Sequence, residues 1–335
     1  MTILGIETSC DETSAAIIQG DKGQVVLKSN IIASSLALHA TTGGVIPENA
    51  AREQVKYMLP TIREALEKAH IEMTDIDAIG VTYGPGLIGS LLVGVETAKT
   101  LSLVLNKPIV PVNHMVGHIY ANFIDKSSDD IEFPAIALVI SGGHTDLLLL
   151  KGHGELELVG GTRDDAAGEA FDKIGRLIGL PYPGGPAIEQ AAKKGDPKRF
   201  RFPRPLIGSN ELDFSFSGLK AAVLREVNNI RTMDEQTVND IARSTQDAII
   251  DVVVRKTMKA AAKFDVKSIL LSGGVSANQA LHDEFKAQSE GLGVKFFAPA
   301  KILCTDNAAM IASAAFYNYK PVPWQDITAN PELYF

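Results

Sequence analysis

Two histidines four positions apart, His114 and His118, have the spacing of residues that can bind one metal ion. The segment follows a short apolar strand and reads as a helix, in which both imidazoles lie on one face. Asp306 precedes an alanine-rich stretch that predicts a helix start, and its carboxylate is a candidate third ligand. Met115 stands where a zinc peptidase has its glutamate general base, so peptidase chemistry is not expected. An isolated histidine pair is also a common coincidence, and spacing alone leaves both interpretations open.

Two Ser-Gly-Gly turns follow apolar strands, at residues 141–143 and 272–274. Glycine lets backbone N–H groups approach an anion closely, and a following helix N-terminus favours negative charge. Together the two turns predict a clamp for the phosphate and ribose of a nucleotide. Neither matches the P-loop or the dinucleotide-binding fingerprint, so an ordinary tight turn remains the alternative for each.

An acidic segment at 164–173 predicts a helix with Asp165, Glu169 and Asp172 on one face. Carboxylates in a nucleotide site accept hydrogen bonds from ribose hydroxyls. Solvated acids on a helix surface give the same pattern and are the more frequent case.

A basic segment between residues 193 and 204 combines six lysines and arginines with Phe200 and Phe202. In a chain of net charge −8, this is the one place where phosphates and unstacked bases would be bound favourably. It predicts contact with RNA, against the alternative of a solvated charged face.

The elements that must position these residues alternate between strand and helix, which predicts α/β architecture. A hairpin at the start of the chain is similar to a second one about 135 residues later, a pattern left by domain duplication but also by chance. Residues 179–213 predict an ordered loop or a loop–helix–loop insert. The predicted strands are 3–6, 15–18, 78–81, 109–112, 135–140, 147–150 and 268–271, and the first helix is 50–70, with an apolar stripe of Val55, Met58, Leu59, Ile62 and Leu66.

Length and composition are those of a globular protein with two domains, since domains average about 150 residues. The 335 residues are 45% apolar and 21% charged, which excludes disordered and fibrous classes. The net charge of −8 argues against a surface that coats nucleic acid. Two cysteines, Cys10 and Cys304, suit a reducing compartment. The first residues show no targeting pattern, and we expect a cytoplasmic protein without a membrane segment.

The ordered set of motifs resembles the tRNA N6-adenosine threonylcarbamoyltransferase family of bacterial type, formerly called O-sialoglycoprotein endopeptidases. The resemblance implies an actin-like fold of the sugar kinase and heat-shock ATPase type. Its two duplicated lobes would be 1–131 and 132–335, with a nucleotide cleft between them and the last helix packed on the first lobe. The motifs that carry the resemblance are the segments 7–13, 43–48, 84–87, 114–118, 141–145, 164–173, 182–186, 213–220 and 272–278.

What the resemblance implies is transfer of a threonylcarbamoyl group from threonylcarbamoyl-AMP to N6 of adenosine 37 in ANN-decoding tRNAs. His114, His118 and Asp306 would hold one divalent metal, with Fe²⁺ favoured and Zn²⁺ or Mg²⁺ as alternatives. Asp11 is a candidate base. The implied partners are tRNA, a TsaB-like paralogous subunit and a TsaE-like small ATPase. The adenylate would contact Val139, Ile140, Ser141, Gly142, Gly143, Asp172, Gly185, Glu189 and Asn278.

Two positions depart from the family pattern. Gln54 stands where members often have a histidine, and Val139 stands where some relatives carry a metal-side tyrosine. Valine cannot coordinate a metal, so any further ligand would be substrate or water. An actin-like small-molecule kinase is the alternative function, although this chain has Glu7 where such kinases have a catalytic aspartate. A non-enzymatic nucleotide-binding complex organiser is the third.

Overall fold

The computed structural model describes residues 1–34, 47–127 and 130–335. Most of the glycine-rich motif at 43–48 therefore lies outside the described residues. The chain divides into two compact units, of which unit 1 comprises Met1–Ile131 and Pro299–Phe335 and unit 2 comprises Glu132–Ala298.

Unit 1 is built on a five-stranded sheet of order β3-β2-β1-β4-β5. The first three strands are antiparallel, and β4 and β5 continue the sheet in parallel with β1. The predicted opening hairpin is confirmed, and its second strand is longer than the sequence indicated. The strands are β1 (Thr2–Glu7), β2 (Glu12–Asp21), β3 (Gln24–Ser34), β4 (Ala78–Gly84) and β5 (Ile109–Asn113).

Helices cover both faces of this sheet, which is why β1 is buried along almost its whole length. Leu4 and Ile6 pack in one core with the first two helices. On the other face Gly5 lets the last helix approach, since a Cβ at Gly5 would lie 2.2 Å from the backbone oxygen of Ala308. The helices of unit 1 are α1 (Pro47–Ala69), α2 (Ile88–Leu105), α3 (His114–Tyr120) and α9 (Ala308–Tyr317).

The apolar stripe predicted for α1 is partly wrong. Met58 and Ile62 are buried as expected, but Val55 and Leu59 are 67% and 66% exposed. Gln54 is buried instead, because it hydrogen-bonds to the polar loop after β1. A polar residue thus takes a buried position on the helix, while two apolar residues face away from the core.

Unit 2 repeats the topology of unit 1. Its sheet order is β10-β9-β6-β7-β8, in which β6, β7 and β8 are antiparallel and β9 and β10 run parallel to β6. Three antiparallel strands followed by two parallel ones therefore occur twice, which confirms the duplication. The strands are β6 (Ala135–Ile140), β7 (Thr145–Gly152), β8 (Glu155–Gly161), β9 (Ser268–Ser272) and β10 (Lys295–Phe297).

The helices of unit 2 bury one large apolar core against β6, β7 and β9. Residues 179–213 contain the short helix α5 between two irregular stretches, so the loop–helix–loop prediction is confirmed. The helices are α4 (Ala167–Leu177), α5 (Gly184–Ala192), α6 (Ser217–Asn229), α7 (Glu235–Lys263) and α8 (Gln279–Leu292).

Among the residues that the structure describes, α2 is the one helix long and apolar enough to cross a membrane by length and composition. It includes Glu96 and Lys99, and it packs against α1 and β4 in unit 1. A single helix of this kind is weak evidence for a membrane span, because the core helix of a globular protein passes the same test.

Candidate metal centre and nucleotide-binding loops

The histidine pair lies where the parallel strand β5 ends and α3 begins. Asn113, the last residue of β5, caps the helix by accepting hydrogen bonds from the backbone N–H groups of Met115 and Val116, at 2.8 and 3.4 Å. The helix therefore starts at His114, and His118 follows one turn later on the same face. Both imidazoles are buried.

Asp306 completes a group of three ligand-type side chains in unit 1. It precedes α9, whose N-cap Asn307 accepts a hydrogen bond from Met310 N–H at 3.0 Å. Its Oδ1 lies 3.5 Å from Nε2 of His114 and 3.1 Å from Nε2 of His118. One ligand atom from each residue lies within 4.8 Å of the other two. The structure thus brings together the three residues that the sequence proposed as ligands.

The chemistry of this group fits a transition-metal cation. Nδ1 and Nε2 of His118 are buried and make no hydrogen bond to the described residues, since the 3.1 Å approach of Asp306 Oδ1 to Nε2 lacks hydrogen-bond geometry. A buried nitrogen without a hydrogen bond is costly unless another partner takes its lone pair. A set of two imidazoles and one carboxylate is typical of iron and zinc sites.

His114, in contrast, has polar partners at Nδ1, the ring nitrogen that does not face Asp306. Its Nδ1 lies 3.2 Å from Oε2 of Glu7 and 3.1 Å from Oγ of Ser9. Burial lowers the pKa of His114, but the carboxylates of Asp306 and Glu7 outweigh it and raise the pKa to about 9. A metal ion would replace the proton that these carboxylates favour.

Titratable side chains of the loop after β1 and of the start of β2 lie close to this region. Burial raises the pKa of the Cys10 thiol, and the neighbouring carboxylates of Asp11 and Asp306 raise it further, so the thiol stays protonated. Burial also raises the pKa of Glu12, to about 7. Asp11, the candidate base, is half-buried on this loop. The loop and the first residue of β2 thus supply carboxyl groups that could take a proton.

Gln54 of α1 holds that loop. Its Nε2 donates to the backbone oxygens of Cys10 and Glu12, both at 3.0 Å, and approaches that of Thr8 at 3.4 Å. The side chain is 1% exposed. Gln54 therefore has a positioning role in the loop.

In unit 2, the turn after β6 presents backbone groups with space in front of them. A Cβ added at Gly142 or Gly143 would meet nothing within 4 Å. The turn is tied to the start of α4, because Gly168 N–H donates to the oxygen of Ser141 at 3.1 Å. It is also close to the second glycine turn, since a Cβ at Gly273 would lie 2.5 Å from the oxygen of Ile140.

Two acidic residues of the predicted adenylate set accept hydrogen bonds from the first N–H groups of neighbouring helices. Oδ1 of Asp172 accepts from Gly184 N–H at 2.7 Å, at the start of α5, where Gly185 also has open space beside it. Burial raises the pKa of Asp172, although hydrogen bonds from the backbone of Gly184 and Gly185 act against it. Glu189 of α5 accepts from Gln279 N–H at 3.0 Å, at the start of α8.

Asn278 is the N-cap of α8 and joins it to α7. Its Oδ1 accepts from Leu281 N–H at 3.0 Å, and its Nδ2 donates to Oε1 of Gln246 at 2.9 Å. Val139 and Ile140 differ from the rest of the predicted set, because both are fully buried in β6. Their side chains pack in the core, so only their backbone groups could contact a ligand.

The acidic and basic segments are used largely for internal pairing. Asp165 is 2.8 Å from the ammonium groups of both Lys173 and Lys220. Within the basic segment, Arg204 pairs with Asp251 at 2.9 Å. Phe202 is buried in the core of unit 2 and cannot stack on a base, so that part of the RNA-contact prediction is wrong.

The sequence interpretation missed two residues beside the histidines. Glu7 is fully buried at the end of β1 and accepts a hydrogen bond from the hydroxyl of Thr82 on β4. The sequence does contain a signal for this contact. Glu7 ends one apolar strand and Thr82 lies near the end of another, and neighbouring parallel strands end at the same edge of a sheet, which brings two such side chains together. From the sequence, Glu7 was expected only as part of the motif at 7–13 and as the residue that stands where a kinase has its aspartate.

The duplicated topology places the chain in the class of actin-like α/β proteins. HypF from T. kodakarensis aligns with 95% of this chain and 47% of its own length, at 16% identity and a TM-score of 0.64. At this identity the likeness shows the fold alone, and the chain spans about half the length of HypF.

Sequence comparison identifies the family. A profile described as TsaD, tRNA N6-adenosine threonylcarbamoyltransferase, matches residues 26–313. The tRNA N6-adenosine threonylcarbamoyltransferase of Moorella thermoacetica is 49% identical over 334 residues, which are 99% of this chain and 96% of the relative. That of Desulfitobacterium hafniense is 47% identical over 338 residues, at 99% and 97% coverage. The chain belongs to the tRNA N6-adenosine threonylcarbamoyltransferase family, and it is a transferase of tRNA modification.

Proposed function

We propose that this chain transfers the threonylcarbamoyl group of threonylcarbamoyl-AMP to N6 of adenosine 37 in ANN-decoding tRNAs and releases AMP. The observation that carries the proposal is the convergence of His114, His118 and Asp306 in a member of this family. The open glycine turn at 141–143 supports a nucleotide substrate.

His114, His118 and Asp306 would hold the metal. When bound, a divalent cation supplies Lewis-acid polarisation of a phosphate or carbamoyl oxygen. Imidazole nitrogens favour iron or zinc over magnesium, which prefers oxygen ligands. The ligand set thus makes Mg²⁺ the least suited, and we favour Fe²⁺ over Zn²⁺ on the family resemblance alone.

The reaction is acyl transfer from a mixed anhydride. The N6 amine attacks the carbamoyl carbon, the bond from that carbon to the phosphate oxygen breaks, and AMP leaves with the electron pair. The adenine amine is a poor nucleophile, so positioning contributes much of the rate. Backbone N–H groups of the turn at 141–143 would bind the leaving phosphate, and Asp172, Glu189 and Asn278 would orient the nucleoside.

A carboxylate of the loop after β1 or of the first residue of β2 would accept the proton lost from N6. Asp11 is the candidate from the sequence. Glu12, the first residue of β2, is a second candidate, because burial raises its pKa to about 7. The variants Asp11→Asn and Glu12→Gln distinguish the two candidates. The variant that lacks the base should transfer the group much more slowly but bind AMP as wild type does.

The proposal is tested by a transfer assay. Purified chain, synthetic threonylcarbamoyl-AMP, Fe²⁺ or Zn²⁺ and unmodified ANN-decoding tRNA are incubated, and the digested tRNA is analysed by mass spectrometry. We expect the modified nucleoside, and none from a matched tRNA with guanosine at position 37. No product, even with the partner proteins added, would contradict the proposal.

The kinase alternative is less well supported by the structure. Glu7, at the position of the kinase aspartate, is fully buried and engaged by Thr82 and Ser9 N–H. A kinase would consume ATP with small sugars or carboxylates, whereas we expect no such consumption. A non-enzymatic complex organiser would bind AMP without giving the modified nucleoside in the transfer assay.

The family resemblance also implies partner proteins, and we include them in the proposal. A TsaB-like paralogous subunit would cover exposed apolar side chains of α1 and α2, among them Val55, Leu59 and Val104. Size-exclusion chromatography of the chain with such a subunit tests this, with Leu59→Lys and Val104→Glu expected to abolish the complex. A TsaE-like small ATPase and a cytoplasmic location complete the proposal.

A further inference from the structure

We propose that Glu7 is a positioning residue of the metal centre, which fixes the tautomer of His114 and thereby directs Nε2 of that ring to the metal. The inference rests on the metal site of the proposed function. It concerns a residue that would contact neither the metal nor the substrate.

The carboxylate of Glu7 is surrounded by hydrogen-bond donors. It is 1% exposed. Oε1 accepts from the backbone N–H of Ser9, and Oε2 accepts from the hydroxyl of Thr82. Nδ1 of His114 lies 3.2 Å from the same Oε2. Strand β1, the loop after it and strand β4 therefore all hold this carboxylate in place.

The chemistry of the pair determines which nitrogen carries the proton. An ionised carboxylate accepts hydrogen bonds and cannot donate them, so the group facing it must be Nδ1–H. Neutral His114 then has its lone pair on Nε2, the nitrogen that lies 3.5 Å from Asp306 Oδ1. Carboxylates commonly orient metal-binding histidines in this way, and their loss typically lowers metal affinity about 10–100-fold.

Ser9 is the competing partner, since its Oγ lies 3.1 Å from the same Nδ1. A hydroxyl can donate or accept, so Ser9 is compatible with either tautomer of His114. The carboxylate is compatible with only one. Glu7 is therefore the group that selects the tautomer, and Ser9 provides a matched control at nearly the same distance.

Glu7→Gln tests the inference directly, because the glutamine amide has an oxygen that only accepts and an NH₂ group that only donates. The backbone N–H of Ser9 cannot accept, so the amide oxygen must face it and the NH₂ group must take the place of Oε2. Thr82 can turn its hydroxyl to accept from that group. Nδ1 of His114 must then also accept, which moves the ring proton to Nε2 and blocks the metal-binding nitrogen.

Two measurements follow on the full chain, in wild type, Glu7→Gln and Ser9→Ala. Nitrogen-15 NMR of labelled histidine, on metal-free protein at a pH where His114 is neutral, reports the tautomer. Competition with a chromogenic chelator reports Zn²⁺ affinity. For Glu7→Gln we expect the proton to move to Nε2 and affinity to fall about 10–100-fold; for Ser9→Ala we expect an unchanged tautomer and affinity within about twofold of wild type.

The inference is overturned if Glu7→Gln keeps the Nδ1–H tautomer and the wild-type affinity, or if Ser9→Ala gives the change instead. Should Glu7→Gln fail to fold, the test uses wild-type protein loaded with cadmium-113. NMR should then show coupling between cadmium-113 and Nε2 of His114, with Nδ1 protonated. Coupling through Nδ1 would refute the inference. If wild type binds no metal, the proposed metal site fails, while the tautomer in metal-free protein still tests Glu7.

Discussion

The backbone oxygen of Asn330 occupies the space in which a side chain at Gly84 would lie, 2.0 Å from the position of a Cβ. The C-terminal segment is fixed there by hydrogen bonds from Asn330 N–H to Tyr83 O at 2.7 Å and from Gly86 N–H to Pro331 O at 3.3 Å. The same loop reaches the metal centre, because Leu87 N–H donates to the backbone oxygen of Ser9 at 2.8 Å. The end of the chain thus supports the loop that contacts His114.

Gly84→Ala should destabilise the protein by about 2–3 kcal/mol, because the new methyl group meets backbone rather than a movable side chain. Urea unfolding measures this. Gly208→Ala is the matched control, since a Cβ there meets nothing within 4 Å, and it should be close to neutral. Equal midpoints for the two variants would show that the C-terminal segment yields easily and does not support the loop.

Asp306→Asn should lower the affinity for Zn²⁺ by at least about 100-fold, because loss of a ligand costs more than loss of an outer-shell partner. Metal content after dialysis and chelator competition measure the change. The exposed Asp326→Asn controls for the general loss of one negative charge. Wild-type affinity in Asp306→Asn would remove this carboxylate from the metal site.

Asn278→Asp should separate helix capping from nucleotide binding. The aspartate keeps an oxygen for Leu281 N–H, and the Gln246 amide can turn to donate to the other oxygen, so the unfolding midpoint should stay close to wild type. The charge of the aspartate repels phosphate, and the NH₂ donor of the asparagine is lost. AMP affinity, measured by calorimetry, should therefore fall. Asn278→Ala should lose both AMP affinity and about 1 kcal/mol of stability. Unchanged AMP binding in Asn278→Asp would exclude Asn278 from the nucleotide site.

The pairing of Asp165 predicts a pH-dependent contribution to stability. Burial raises the pKa of this carboxyl, but hydrogen bonds from Lys173 and Lys220 outweigh it and hold the pKa below its usual range. A lowered pKa in the folded state stabilises the protein above the unfolded value of about 3.9, and this contribution is lost as pH falls through the folded value.

Asp165→Asn should therefore be less stable than wild type at pH 7 by up to about 1 kcal/mol, since the pair is partly solvated. The difference should shrink towards pH 3. Urea unfolding at pH 7, 5 and 3 measures it, with the exposed Asp21→Asn as the control. A difference that is constant with pH would show that the ion pair is not its cause.

The fold was predictable because its signals are local. Apolar strands such as residues 3–6 and 135–140 are bounded by polar or glycine-rich turns, which makes them recognisable in the sequence. The repeated hairpin indicated duplication. The helix bounds were less accurate: on α1, Gln54 is buried and Leu59 is exposed. Periodicity counts apolar residues and gives no information on a glutamine that is buried by its hydrogen bonds to a distant loop.

The metal group was predictable only in part. His114 and His118 are linked by helix spacing, and the predicted helix start after Asp306 made its carboxylate a candidate third ligand. The contact between Glu7 and His114 could not be read from spacing, because it depends on the register in which β1, β4 and β5 align. Phe202 was misread for a related reason, since composition alone cannot show whether an aromatic residue among cations faces solvent or the core.

The most direct test of the central claim is the stoichiometry of a single turnover. Threonylcarbamoyl-AMP carrying labelled threonine is mixed with the chain, its partner proteins and unmodified ANN-decoding tRNA. The amounts of released AMP and of labelled adenosine 37 are then measured in the same sample. We expect one AMP to be released per modified adenosine, His118→Ala to abolish both products, and tRNA with guanosine 37 to carry no label. Release of AMP without labelled tRNA, or full transfer by His118→Ala, would contradict it.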